Sequence, residues 1–119
     1  MSNDKKRKFN ERIQALHEKY YRQLPVKYQE IEDCWKEYQT DLNNPASIET
    51  FFRLIHSLKG TAATFGFVKQ ADICFEIQQL LFVAKKEQSA LSTNSVTQIQ
   101  QQLDELKIHI NTPPQDISE

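Results

Sequence analysis

Apolar residues recur along this chain at alternating three- and four-residue steps, the pattern of helices that each bury one stripe. Phe9, Ile13, Leu16, Tyr20 and Leu24 form the first series. Pro25 follows directly and predicts the end of a short helix and the first turn of another. The second series is Tyr28, Ile31, Trp35, Tyr38 and Leu42, after which Asn43-Asn44-Pro45 supplies a stop, an N-cap candidate and a first-turn proline. Ile48, Phe51, Ile55, Leu58, Ala62 and Phe65 make the most regular stripe, and Gly66 stands where a left-handed C-cap would end it. A fourth helix is expected over roughly 68–86, with Ala71, Cys74, Ile77, Leu81 and Ala84 inward and Phe75 and Phe82 widening its face. Polar residues 89–95 read as a loop before Val96, Ile99, Leu103, Leu106 and Ile110.

No strand-type alternation persists, so the fold expected is all-α. Four long amphipathic segments with short connections predict an antiparallel up-and-down four-helix bundle, and the short additional N-terminal helix would cap or flank it. Residues 1–8 then form a flexible N-terminus, 9–111 the bundle, and 112–119, with Pro113-Pro114, a C-terminal tail or linker. Two glycines and four prolines in 119 residues fit a helical chain with few turns.

A net charge of -1 gives no whole-domain attraction for nucleic acid. Lys5-Lys6-Arg7-Lys8 reads as a solvated terminus. The polar N-terminus lacks a signal-peptide core, and the longest apolar run, 80–84, is too short to cross a bilayer. Cys34 and Cys74, forty positions apart, form no redox or metal motif and fit reduced packing residues. A monomeric, cytoplasmic protein without membrane contact is expected.

The candidate chemistry lies in the third helix. A mid-helix glycine costs about 1 kcal/mol relative to alanine, so Gly60 suggests that something must approach the backbone there. His56 precedes it by one turn. On a helical wheel His56 falls roughly 130° from the centre of the buried stripe, with Phe52, Lys59, Gly60 and Ala63 as neighbours. A solvent-reachable imidazole can attack phosphorus, and a cation one turn on, Lys59, stabilises the anionic group transferred. Gly60 and Ala63 leave room for another protein's active site. If the chain reverses at Gly66, a residue about ten to thirteen positions beyond it lies level with His56. Gln78 falls there as an orienting group, with Glu76 and Gln79 as competitors. His17 and His109 belong to no site pattern, and no metal-ligating cluster is apparent. Trp35 with Tyr28 and Tyr38 reads as core.

The run His56-Ser57-Leu58-Lys59-Gly60-Thr61-Ala62, with Gly66 ten residues after the histidine, resembles the signature of histidine-containing phosphotransfer (HPt) domains. The flanking helices extend the resemblance from about Phe9 to Ile110. It implies a phosphorelay intermediate in which His56 accepts a phosphoryl group from a receiver-domain aspartate and passes it to another receiver. Lys59 would steady that group, Gly60 would keep the docking face open, and Gln78 would bond the imidazole, as a glutamine does in some members. Response-regulator receivers and a hybrid sensor kinase are the implied partners. No cofactor is intrinsic to the chain, Mg²⁺ being expected in the receiver. Phe52 and Phe67 are expected to border His56 and contact the receiver.

Three other classes compete. A sensor-kinase dimerisation helix usually has an acidic residue after its histidine, whereas Ser57 follows His56. An autonomous enzyme would need a nucleotide loop or a nucleophile-base grouping, and neither pattern occurs, so a phosphocarrier and not an enzyme is expected. A phosphorylation-independent helical docking module for a signalling partner is the alternative the residues exclude least.

Overall fold

A computed structural model describes residues 2–41 and 44–111. Among these the regular structure is entirely helical: α1 (Ser2–Thr40), α2 (Pro45–Thr64), α3 (Val68–Glu87) and α4 (Thr93–Asn111). The predicted tail 112–119, Pro113-Pro114 included, lies outside the described residues, as do Leu42 and Asn43 of the predicted second stripe and stop signal.

The expected break at Pro25 does not occur. One 39-residue helix replaces the two expected, so the separate N-terminal helix is an extension of α1. The expected flexible segment falls within α1 from Ser2 onward. A proline inside a helix removes one hydrogen bond and crowds the preceding turn, at a cost of about 3 kcal/mol. Here Pro25 is exposed, so its ring takes no space in the core. Tyr20, Leu24, Tyr28 and Ile31 are all buried across it. Fully burying such side chains is worth about 1.5–3 kcal/mol each, and the stripe stays on one side only if the helix continues.

The polar tips of the α1 aromatics fix its register against the other helices. The Tyr20 hydroxyl donates to Gln70 Oε1, and the Tyr28 hydroxyl donates to Leu103 O. Trp35 Nε1 donates to Gln100 Oε1, and the Leu91 amide donates to the Tyr38 hydroxyl. Trp35 also lies against Phe51 near the start of α2, whereas Tyr20 stacks on Phe65 at its end. Burial pushes the Tyr28 phenol up to about 12 and raises Tyr20 as well. Ile55, Leu58, Ile77, Leu81, Ile99 and Leu106 complete the same core.

Two turns close the remaining connections. Gly66 has φ +80°, and the amides of Gly66 and Phe67 donate to Ala63 O and Ala62 O. This paired C-cap ends α2 and needs a residue free to enter the left-handed region. Gln88 plays the same part after α3 with φ 51° but carries a side chain. A left-handed conformation costs a non-glycine residue roughly 1–2 kcal/mol. Gln88→Gly should therefore raise stability by about 1 kcal/mol, moving the thermal midpoint up by about 4 °C. A calorimetric scan checks this; a lowered midpoint would mean that the glycine's gain in unfolded-chain freedom outweighs relief at the cap.

Candidate functional site

Asn44 opens α2 by accepting the Ala46 amide on its side chain, and Gly66 closes it. Between these caps Ile55, Leu58 and Ala62 are buried, which fixes the rotation of the helix and turns the intervening residues outward. His56, Gly60 and Ala63 are exposed, while Lys59 is half-buried. A Cβ built at Gly60 meets nothing within 4 Å, so the glycine opens onto solvent and not onto a neighbouring helix.

The turn at Gly66 returns the chain beside His56. Its Nδ1 lies 3.3 Å from Gln78 Oε1. With Oε1 facing the ring, this hydrogen bond forms in the tautomer that carries its proton on Nδ1 and leaves the lone pair on Nε2. Gln78 is the candidate that reaches the imidazole, whereas its competitors Glu76 and Gln79 line a groove between α3 and α4. On the other side the Phe52 ring lies nearly parallel to the imidazole, at 5° and 6.2 Å between centroids.

Two lysines frame this group. Lys59 Nζ stands 5.2 Å from the centre of the exposed Phe75 ring on α3. Lys85, a residue that sequence reasoning missed, reaches from α3 to 4.0 Å above Phe52. It also binds Glu49 Oε2 at 2.8 Å, and Arg53 approaches the other oxygen of that carboxylate at 3.4 Å. The alternation of apolar positions finds Cys74, Ile77, Leu81 and Ala84 on the buried face of α3. Phe75 and Phe82, expected to widen that face, are exposed, while Gln70 and Ile73, nearer the α2–α3 turn, are buried. Nor does the alternation say how far a long side chain reaches across to α2.

Phe67 is placed elsewhere than expected. Its ring packs on His17 and Tyr20 at centroid distances of 5.0 and 5.2 Å. It sits past the end of α2, more than 12 Å along the axis from His56 at about 1.5 Å per residue, and so it braces α1 and does not border the imidazole. His17 Nε2 donates to Phe65 O in the same cluster, while its shielded Nδ1 has no partner among the described residues. His109 lies 3.8 Å from Glu105, one turn away on α4.

Burial pushes the Cys74 thiol up to about 12, so it is protonated and unreactive at neutral pH, and burial raises Cys34 too. Among the described residues no group of three or more His, Cys, Asp or Glu side chains could hold a metal ion. No described helix is long and apolar enough to cross a membrane.

The hydrogen bond and charge of Lys85 hold the Glu49 carboxyl below its ordinary value of 4.5, assisted by Arg53. A folded-state value below the unfolded one adds stability above the unfolded pKa, and that contribution is lost as pH falls through the lowered value. A carboxyl-carbon NMR titration should place Glu49 below 4.5 in the native chain and bring it back toward that value in Lys85→Met. An unchanged midpoint would remove Lys85 from its assigned contact.

The Hpt domain family matches residues 24–109, so the match starts within α1 and runs to the last turn of α4. No curated protein matches the chain. Among solved structures, the CheA phosphotransferase domain from Thermotoga maritima is similar, with a TM-score of 0.72 at 20% identity. The superposition covers 82% of this chain and 93% of that one, a likeness of fold. With a family match over most of its length and a helical bundle to carry it, the chain belongs to the Hpt domain family and has that family's phosphorelay role in histidine phosphotransfer.

Proposed function

We propose that His56 is the phosphorylated residue and that Nε2 is its nucleophile. The observation that carries this is the Gln78 contact at Nδ1, which suits the tautomer with its proton on that nitrogen and its lone pair on Nε2. In the transfer, that lone pair forms the N–P bond as the acyl-phosphate P–O bond of a receiver breaks. The bonding electrons leave with the receiver's aspartate carboxylate. The Nδ1 proton stays on the ring, where Gln78 Oε1 steadies the resulting cation.

Lys59, one turn on, offsets charge on the phosphoryl oxygens. Gly60 and Ala63 form the bare surface on which the receiver approaches, and Phe52 closes one side of the imidazole. Mg²⁺ belongs to the receiver's acidic pocket in this scheme, and the chain acts as a carrier without its own nucleotide-binding site. A hybrid sensor kinase at the head of the relay, a second receiver at its end, a monomeric cytoplasmic state and an antiparallel up-and-down helix order complete the proposal. The contact of Trp35 with Phe51 and of Tyr20 with Phe65 supports that order, since they lie at opposite ends of α2.

Incubation with a phosphorylated receiver and Mg²⁺ should give an acid-labile, base-stable phosphoprotein that disappears in His56→Gln. Absence of label from every receiver of the source organism would favour docking without transfer. Gln78→Leu should slow transfer roughly tenfold, because a hydrogen bond to a charged group is worth about 1.5 kcal/mol. Gly60→Gln should slow it without lowering the melting midpoint, since a Cβ at Gly60 meets no neighbour and glutamine favours the helix over glycine. Lys59→Ala should lower the transfer rate or the phosphoryl lifetime, and a variant unaltered in both removes the role given to Lys59.

A further inference from the structure

The first part of α1 projects beyond the bundle. At about 1.5 Å per residue a helix of this length spans roughly 58 Å, against a longest molecular dimension of 59 Å. Tyr20 is level with the α2–α3 turn, where it meets Phe65 and Phe67. Every described side chain before His17 is exposed. The projection also precedes Leu24, where the family match begins.

This projection keeps an apolar seam that nothing covers. Phe9, Ile13 and Leu16 are 62%, 41% and 47% exposed and lie in line with buried Tyr20. Charge follows the same seven-residue period. Lys5, Arg12 and Lys19 recur along one edge of the seam, while Asp4, Glu11 and Glu18 recur on the opposite side of the helix. Arg7, toward the back, is held by Asp4 at 3.6 Å and Glu11 at 3.9 Å. The three basic residues of the edge make no ion pair with a described residue.

We propose that this projection docks an amphipathic helix of a partner protein whose apolar seam is bordered by Asp and Glu. The seam occupies only about 60° of the helix, the width of a coiled-coil contact and narrower than the face of a helix lying in a membrane surface. Its basic edge selects an acidic counterpart, since residues flanking such a seam set partner choice. A second copy fits poorly. Side by side in the same direction, both bundles would occupy the space over the seam. In opposite directions, Lys5, Arg12 and Lys19 would face their own copies. The partner helix instead continues the cover that the α2–α3 turn provides at Tyr20 and that α2 and α4 provide beyond it.

The test uses the full chain and stapled synthetic helices of about three heptads, with a Leu/Ile seam bordered by Glu in one and by Lys in the other. The Glu-bordered helix should bind at least about tenfold more tightly than the Lys-bordered one. Arg12→Glu combined with Lys19→Glu should reverse that preference, and Ile13→Asp should abolish binding. All variants should keep the native melting midpoint and the native rate of phosphoryl transfer to His56, because the altered side chains lie outside the core and away from that site. That second readout separates this interaction from the phosphotransfer reading. Equal binding of both helices, or binding that survives Ile13→Asp, overturns the proposal. So do flotation with phosphatidylglycerol vesicles in place of helix binding, and sedimentation as a dimer that Ile13→Asp dissolves.

Discussion

The close packing of α2 against α3 is the constraint on which the site depends. Ile55 and Leu58 on one helix and Ile77 and Leu81 on the other are buried in one core, so neither helix can rotate without exposing them. With rotation fixed, the turn at Gly66 fixes the vertical register. His56 and Gln78 stand ten and twelve residues from that glycine on opposite arms, and equal rise brings them level. The contact between His56 and Gln78 is therefore set by core side chains and a turn that themselves take no part in it.

The same core explains why α1 is one helix. Four of its aromatic residues bury apolar rings and satisfy their polar tips on α3, α4 or the loop between them. An unmade hydrogen bond in such a setting costs about 1–3 kcal/mol, so each tip penalises a slip in register. A local defect at Pro25 is small beside the loss of these contacts on both sides of it.

What the sequence makes legible follows from this. The stripes of α2, α3 and α4 could be read because burial imposes a helical period, and Gln78 could be placed because rise per residue is nearly constant. Pro25 misled because a breaker acts through its local cost, whereas the continuity of the stripe across it is a tertiary effect. Phe67 misled for a related reason: its position just past Gly66 says that it is close in sequence to the site, but the long α1 gives its ring somewhere to pack. The bridge from Lys85 to Phe52 and Glu49 joins residues more than thirty positions apart through flexible side chains, and no periodicity encodes it.

Gly60 bares the backbone on the exposed face of α2, which ordinarily invites water to compete for its carbonyl. Thr64 answers this by donating its hydroxyl to Gly60 O at 2.9 Å, and Thr61 does the same for Ser57 O at 3.0 Å. The stretch beside His56 is thus smooth without being soft. In the receiver approach proposed above, a partner arriving there would meet carbonyls already held by side chains, so little ordering entropy would be lost on contact. Such a platform suits short encounters with several partners in turn, since fit comes from flatness and not from a pocket moulded to one of them.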